Sequence, residues 1–493
     1  MKEDKQSYQH VMKATSLFGG VQVIRILITI IRSKVMAQLL GPEGVGISNL
    51  LTRPLQLITT ATQLGLDKSA VKEISSQYNK EEGDPYRMIA ILKRLVWITA
   101  IIGAVCMVLL SPVLSRFTFD SDAYMLTFVW LGLAVLFNQL AMSNFAVLQG
   151  LRKLEFLAKA NVYGAFAGLV VTIPLYYFLK LDGILPAIIA TSGFIFLFAY
   201  LFARRAVQTH VSVTNAIVLS EGKPMIKLGM ALSFSSIIGL VVAYLILVYI
   251  RSKGGETEAG FYAAGMVILN TYVGLIFNAM STDYYPRLAA ICDDLQQIVK
   301  AVFEQAFIAI LVITPIVIGF IAFAPLVITI LYSGEFEPTV SLVRWGIVGM
   351  VFKAVSWSMG YVIIAKGDSK LFMKTSLGFN SVLLLLNVIG YHYLGLEGVG
   401  ISLLVYYIIH FIVVRIITFY RYGFKMQSGF YSIFIKCLLL CVFAFVASYI
   451  QESILKYSIL VVLIAISSLY SFRLLDKKIG FKSLINSILK KKK

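Results

Sequence analysis

Long apolar runs alternate with short polar connections from one end of the chain to the other. Fourteen runs extend over approximately 14–38, 45–67, 88–111, 124–149, 159–180, 183–203, 226–250, 259–285, 300–331, 338–365, 371–394, 397–420, 430–450 and 456–473. A bilayer core about 30 Å thick is crossed by about 20 helical residues, so each run is read as one transmembrane span. The pattern predicts an all-α polytopic membrane protein of fourteen spans. Polar groups are densest in the first two.

The connections carry a repeat. "LGPEGVGISNLL" at 40–51 returns as "LGLEGVGISLLV" at 394–405, each time between two apolar runs. At an offset of roughly 215 residues, "LGPEGVGIS" faces "GGETEAGFYAAG", and "KLDGILPAIIA" faces "GLEGVGISLLV". The basic link "QGLRKLEFLAKANVYG" likewise faces "AKGDSKLFMKTSLG". An even number of spans per repeat predicts two parallel six-helix halves related by an axis along the membrane normal. The expected organisation is a cytoplasmic segment 1–13, a first bundle 14–206, a linker 207–225, a second bundle 226–420, two extra spans over 430–473 and a basic tail 474–493. The glycine-rich turns are read as structural: glycine permits a tight reversal, and the acidic or small residue beside it can cap the next helix.

Composition agrees with the pattern: 59% of the 493 residues are hydrophobic and 14% charged, with a mean hydropathy of +0.83. The net charge of +19 raises nucleic-acid binding, but the charges are spread over membrane-flanking loops with no soluble domain to present them. Positive-inside topology and anionic headgroups account for the excess, and no nucleic-acid partner is expected. Lys and Arg concentrate in connections such as "KSAVKEISSQYNKEEGDPYR", "FARRAVQ" and "LLDKKIGFKSLINSILKKKK", which predicts both termini in the cytoplasm. The start has no short apolar run with a small-residue cleavage site, so no removable signal peptide is expected. Cys106, Cys292, Cys437 and Cys441 lie within or beside apolar runs, and neither a disulfide nor a metal site is expected.

Three stretches carry a family resemblance: "KATSLFGGVQVIRILITIIRSKVMAQLLGPEGVGISNLL", "ATQLGLDKSAVKEIS" and "AVLQGLRKLEFLAKANVYG". Over about residues 10–425 the chain resembles the Wzx-type polysaccharide flippases of the MOP superfamily, which also holds MATE exporters and the peptidoglycan-precursor flippase. The opening block is similar to O-antigen and enterobacterial-common-antigen translocases. The last two spans depart from the twelve usual in Wzx and match the fourteen of the peptidoglycan-precursor flippase. The resemblance implies a MATE-like pair of bundles around a V-shaped cationic cavity that opens to alternate sides. It implies an undecaprenyl-pyrophosphate-linked oligosaccharide as cargo, in the bacterial inner membrane, without a cofactor. Membrane lipids, a polysaccharide polymerase and a chain-length regulator are the partners it suggests.

An ionised group at the bilayer centre costs about 2.5–3.5 kcal/mol on insertion scales, so such groups need a reason to be there. Gln22, Arg25, Thr29 and Arg32 are spaced to share one helical stripe, and Asn49, Arg53, Gln56, Thr60, Gln63 and Asp67 form a second. Pro54 is expected to loosen that second helix. Arg presents a planar fork that suits a diphosphate, so Arg25 and Arg53 are the leading substrate contacts, with Arg32 and Gln22 beside them. The alternatives are an ion pair between helices for Arg25 and Arg53, and snorkelling for Arg32. In the second half the candidates are Lys353, Arg344, Asn278 and His410. Arg344 and Lys353 lie nine residues apart, on opposite sides of one helix, and Lys353 is preferred. His410 can titrate near neutral pH or simply bridge helices by hydrogen bonds. Asp67 and Asp283 are equivalent under the repeat and are candidates for ion coupling, with a structural role beside Lys68 and Arg287 as the alternative.

Two other functions remain open on the residues alone. A MATE-type exporter of cations would favour carboxylates within its helices, whereas the charge here is predominantly positive. A membrane polymerase or ligase acting on polyprenyl-linked glycans would want catalytic groups on a sizeable outward loop, and these loops are short. There is no P-loop pattern for an ATP-driven pump. A non-enzymatic transporter is the expectation.

Overall fold

The computed structural model describes the backbone of residues 2–78, 80, 83–207 and 211–479, and side chains from Ile24 onward within these ranges except at 219, 282 and 479. The described residues form helices and short connections, with no strand. The helices are α1 (Lys2–Gln63), α2 (Leu66–Tyr78), α3 (Pro85–Phe119), α4 (Met125–Gly150), α5 (Leu154–Leu179), α6 (Ile184–Ala206) and α7 (Asn215–Val267). After a π-helical turn, Ile268–Val273, come α8 (Gly274–Ala290), α9 (Leu295–Leu331), α10 (Thr339–Ala365), α11 (Ser369–Tyr422), α12 (Ser428–Ala447) and α13 (Ser453–Ile479).

Among the described residues, nine helical stretches are long and apolar enough to cross a membrane, the longest being Asn215–Ala290. They do not map one to one onto the fourteen runs, because several neighbouring runs adjoin across a break of one to four residues. The fifth and sixth runs share the stretch Leu154–Ala206, the seventh and eighth share Asn215–Ala290, and the eleventh and twelfth share α11. The first two merge as α1, which is interrupted by Arg25, Arg32, Lys34, Glu43 and Arg53 and is not one of the nine.

A straight α1 would be about 93 Å long, three times the hydrocarbon thickness, so it has to change direction. Its single departure from helical dihedrals is Gly41, at φ 65° and ψ −169°. Pro54 lies inside the second half of α1, where the dihedrals stay helical. The corresponding breaks are Gly255 (φ 79°) in α7 and Gly395 (φ 57°) in α11. The fourth related turn uses a lysine: Lys180 sits at φ 50°, ψ −128°. In three of the turns an acidic residue follows two places later and a glycine three places later: Glu43 and Gly44, Asp182 and Gly183, Glu397 and Gly398. In α11 the turn folds the helix back on itself, and Ser402 Oγ donates to the Leu386 carbonyl at 2.6 Å. Downstream of the first and third breaks, Gly46 and Gly260 pack backbone to backbone. A Cβ on Gly46 would lie 1.9 Å from the Glu256 carbonyl oxygen, and one on Gly260 would lie 1.9 Å from that of Pro42. Both contacts obey the repeat offset, which makes this crossing symmetric.

The chain divides into two compact units, Met1–Gly260 with Leu331–Ser333, and Phe261–Ile330 with Gly334–Lys493. In the first unit, α3 turns Trp97, Ile101, Ile102, Val105 and Leu109 outward, an apolar band suited to lipid. Its inner side carries Gly103, packed against Thr62, Val135 and Gln139. Small residues there let helices approach closely where hydrocarbon supplies no hydrophobic drive for association. Gln139 joins a buried polar relay, donating to Thr62 at 2.6 Å and accepting from Thr99 at 3.1 Å.

Outside the apolar band, α2 buries Leu66, Ala70 and Ile74 in a cluster with Ala146, Val147 and Leu151 at the end of α4. Most of the expected 207–225 linker is helical, since α7 begins at Asn215. Val218 and Met225 enter the same cluster, and Glu221 pairs with Arg87 of α3. Helix starts are capped where the sequence supplies an aspartate. Asp84 accepts from the Arg87 amide at 2.9 Å, and Asp368 accepts from the Leu371 amide at 3.2 Å while binding Arg421 at 3.0 Å. The Leu371 amide and then Arg421 hold the Asp368 carboxyl below the usual carboxylate range.

The lysine at the fourth turn occupies a conformation that costs a side-chain-bearing residue about 1–3 kcal/mol and glycine little. Lys180→Gly is therefore expected to raise the melting temperature of the purified protein. Gly46→Ala is expected to lower it by several degrees, because the new methyl meets backbone; equal melting temperatures for all three proteins would refute this account of the turns.

Candidate substrate site

Lys353 lies in the middle of α10, half-buried. Its ammonium stands over two rings, 5.2 Å from the centroid of Phe277 on α8 and 5.3 Å from that of Tyr407 on α11. Such cation–π contacts are worth about 0.5–2 kcal/mol and leave the charge without a counter-ion. Among the described residues no carboxylate pairs with it. Three helices thus converge on one amine. The π-helical turn Ile268–Val273 immediately precedes the stretch that supplies Phe277.

An aromatic series runs on from this cage. Phe277 meets Trp357 at 5.6 Å, Trp357 meets Tyr361 at 5.1 Å and Tyr284 at 5.8 Å, and Tyr285 meets Tyr361 at 6.0 Å. Tyr284 is fully buried, and its hydroxyl donates to the Ser358 carbonyl at 2.7 Å, which fixes its ring. Beside this series lies a cavity of about 340 Å³ between α10 and α11. Its aromatic wall includes Trp357, Tyr361, Phe379 and Tyr406, and its polar groups are Ser356, Thr375, Ser376, Asn380 and His410. No carboxylate lines it. Asn380 donates to the Ser376 carbonyl at 2.8 Å, which leaves its amide oxygen available to a ligand.

His410 closes one side of the cavity. Its ring packs 4.3 Å from Phe379 and 5.9 Å from Tyr406, and its Nδ1 is buried without a hydrogen-bond partner. Tyr407, whose ring Lys353 faces, lies one turn before His410 on α11. Two of the second-half candidates, Lys353 and His410, are thereby brought together. Asn278 is exposed on α8, next to Phe277. Arg344 is half-buried on the same helix as Lys353, with its Nε buried and unpartnered.

The first-unit candidates remain dispersed along α1. The Gln22 side chain lies outside the described residues. Arg25 is exposed, and Arg32 is half-buried beside the fully buried Tyr176 of α5. Arg53 is half-buried, and among the described residues neither it nor Arg25 forms an ion pair. In the second stripe Asn49 donates to the Val45 carbonyl at 2.9 Å, and Gln63 is buried with its amide nitrogen unpartnered. Asp67 opens α2, half-buried. Asp283 is exposed and approaches Arg287 at 3.9 Å.

The aromatic cage was missed by reading charge alone. Its signal is in the sequence: Lys353, Trp357 and Tyr361 are spaced by four and share one helical face. Phe277 and Tyr407 come from helices that tertiary packing brings alongside, and nothing local marks them.

The model of the polysaccharide biosynthesis protein family matches residues 35–341. A search of curated proteins finds no sequence match. Among solved structures, the lipid II flippase MurJ in an inward closed conformation matches with a TM-score of 0.70 at 11% identity, covering 94% of this chain and 99% of its own. An inward-facing multidrug resistance MATE family transporter of the MOP superfamily matches with a TM-score of 0.63 at 16% identity, covering 80% of this chain and 92% of its own. A MOP superfamily transporter from Pyrococcus furiosus, described as having a binding pocket of reverse polarity, matches with a TM-score of 0.56 at 16% identity, covering 80% and 93%. At these identities the structures speak to fold. The family model spans more than half of the sequence, and the chain belongs to the polysaccharide biosynthesis protein family.

Proposed function

We propose that this protein is a flippase that moves an undecaprenyl-pyrophosphate-linked oligosaccharide, an O-antigen or related surface-polysaccharide unit, across the bacterial inner membrane by alternating access. The observation that carries the reading is Lys353: an amine in the middle of an apolar helix, held by two rings and, among the described residues, with no carboxylate to neutralise it. Such a charge is poorly justified by stability and well suited to an anionic ligand. The neighbouring cavity fits the rest of such a cargo. A pyranose has an apolar C–H face that packs on aromatic rings, and hydroxyls that bond to groups such as Asn380, Ser376 and Thr375.

Arg25 and Arg53 remain the proposed diphosphate contacts of the first unit, with Arg32 and Arg344 as further cations. Asp67 and Asp283 are proposed for ion coupling. Membership of a polysaccharide biosynthesis family supports a glycan cargo, and the likeness to a lipid II flippase supports a lipid-linked one. A cation exporter is disfavoured by the absence of carboxylates from the cavity wall. An enzyme is disfavoured by the shortness of connections such as 120–124 and 448–452. Both termini are placed in the cytoplasm by the distribution of Lys and Arg.

The test is translocation of a fluorescent undecaprenyl-pyrophosphate oligosaccharide in proteoliposomes, at matched amounts of folded protein. Wild type is expected to transport, and Lys353→Met to lose transport at least about tenfold while its melting temperature stays within a few degrees of wild type or rises. Unimpaired transport by Lys353→Met would remove the carrying observation.

Arg25→Ala and Arg53→Ala are expected to reduce transport severally, with the larger loss at low ionic strength, where charge attraction is least screened. Rates equal to wild type in both variants would move the diphosphate site away from α1.

A further inference from the structure

A second cavity, of about 570 Å³, lies between the last turns of α11 and the start of α12. It shares no lining residue with the cavity beside Lys353. Its walls are built from Phe411, Ile412 and Ile416 of α11 and Tyr431 of α12, and its two cations are Arg415 and Lys425. No carboxylate lines it. The third nearby cation, Arg421, is bound to Asp368 at 3.0 Å and so is already neutralised.

Arg415 and Lys425 are placed differently. Among the described residues neither is in an ion pair, and each is steadied by an aromatic ring. The Arg415 guanidinium lies 4.9 Å from the centroid of Tyr431, and the Lys425 ammonium lies 5.3 Å from that of Phe419. A ring face fixes a cation without cancelling its charge, so both remain able to bind an anion. They stand at one end of an apolar span, where α11 stops at Gly423 and a non-helical connection leads to α12. Along α11, Ile412 is 47% exposed and Ile416 48% exposed. The cavity therefore has a cationic end at the level of the membrane interface and an apolar wall that continues into the lipid-facing surface.

We propose that this cavity binds an anionic glycerophospholipid, with its phosphate between Arg415 and Lys425 and an acyl chain along Ile412 and Ile416. The two-part character decides the ligand class. A free phosphate would satisfy the cations and leave the apolar wall unused, and a zwitterionic lipid brings an ammonium of its own against Arg415 and Lys425. The inference does not depend on which cargo the protein carries.

The experiment is native mass spectrometry of the full chain released from micelles containing phosphatidylglycerol and phosphatidylcholine in equal amounts. Wild type is expected to retain phosphatidylglycerol several-fold over phosphatidylcholine. Arg415→Gln combined with Lys425→Gln is expected to abolish the preference, and Lys436→Gln, an exposed lysine outside the cavity, to preserve it. Ile416→Trp keeps both cations and obstructs the apolar wall, and is also expected to reduce retention several-fold. Equal retention of the two lipids by wild type, or an unchanged preference in the double variant, would overturn the proposal. So would displacement of the bound lipid by millimolar inorganic phosphate, which would show a soluble-anion site.

Discussion

A peptide amide in hydrocarbon finds no water to bond, and each unsatisfied backbone group there costs several kcal/mol. That constraint shapes the rest of this structure. It requires helix throughout the apolar region and confines every reversal to a few residues at its edge. The chain meets the second demand with one device used four times: a residue at positive φ, soon followed by a residue small enough for two backbones to touch. Gly41, Gly255 and Gly395 supply the first part, and Lys180 does so at a conformational cost. The Gly46 and Gly260 crossing shows the second part in its tightest form. Helix length and the brevity of the turns follow from this requirement.

Against that background the charges sort into two kinds. Some are neutralised and hold structure in place. Arg251 bonds Glu256 at 3.0 Å and also donates to the Phe119 carbonyl, joining the third turn to the end of α3. Arg421 clamps the start of α11 to its own end through Asp368. Others have no ion-pair partner among the described residues and are held over aromatic rings: Lys353 between Phe277 and Tyr407, Arg415 over Tyr431, Lys425 over Phe419. A ring positions a cation at little electrostatic expense to a later anion. Under the two proposals, the same chemistry receives a cargo phosphate at Lys353 and a lipid phosphate between Arg415 and Lys425.

The candidate site was partly legible. Lys353 and His410 stood out because ionisable groups are rare in apolar runs; His410 lines the cavity, and Lys353 lies one turn along α10 from its lining residue Trp357. Arg25 and Arg53 stood out for the same reason, yet the first unit gathers no comparable cage around either. Trp357 and Tyr361 were readable at four-residue spacing from Lys353, but aromatic residues are so common in these helices that spacing alone does not separate a cage from packing. Asn138 and Gln139 look alike in sequence, yet the buried relay with Thr62 and Thr99 runs through Gln139. One helical position separates the two, and only the neighbouring helices decide which of them faces inward.

By itself the sequence determined the membrane class, the all-helical fold, the position of the turns and the twofold repeat. All of these rest on local quantities: the length of apolar runs and the backbone freedom of glycine. Tertiary structure alone decided that Val218 and Met225 pack into the cluster around α2, and that Phe277, Lys353 and Tyr407 meet. Such meetings join residues up to 130 positions apart on three helices. Their geometry is set by close packing between helices, for which no stretch of sequence carries a local signal.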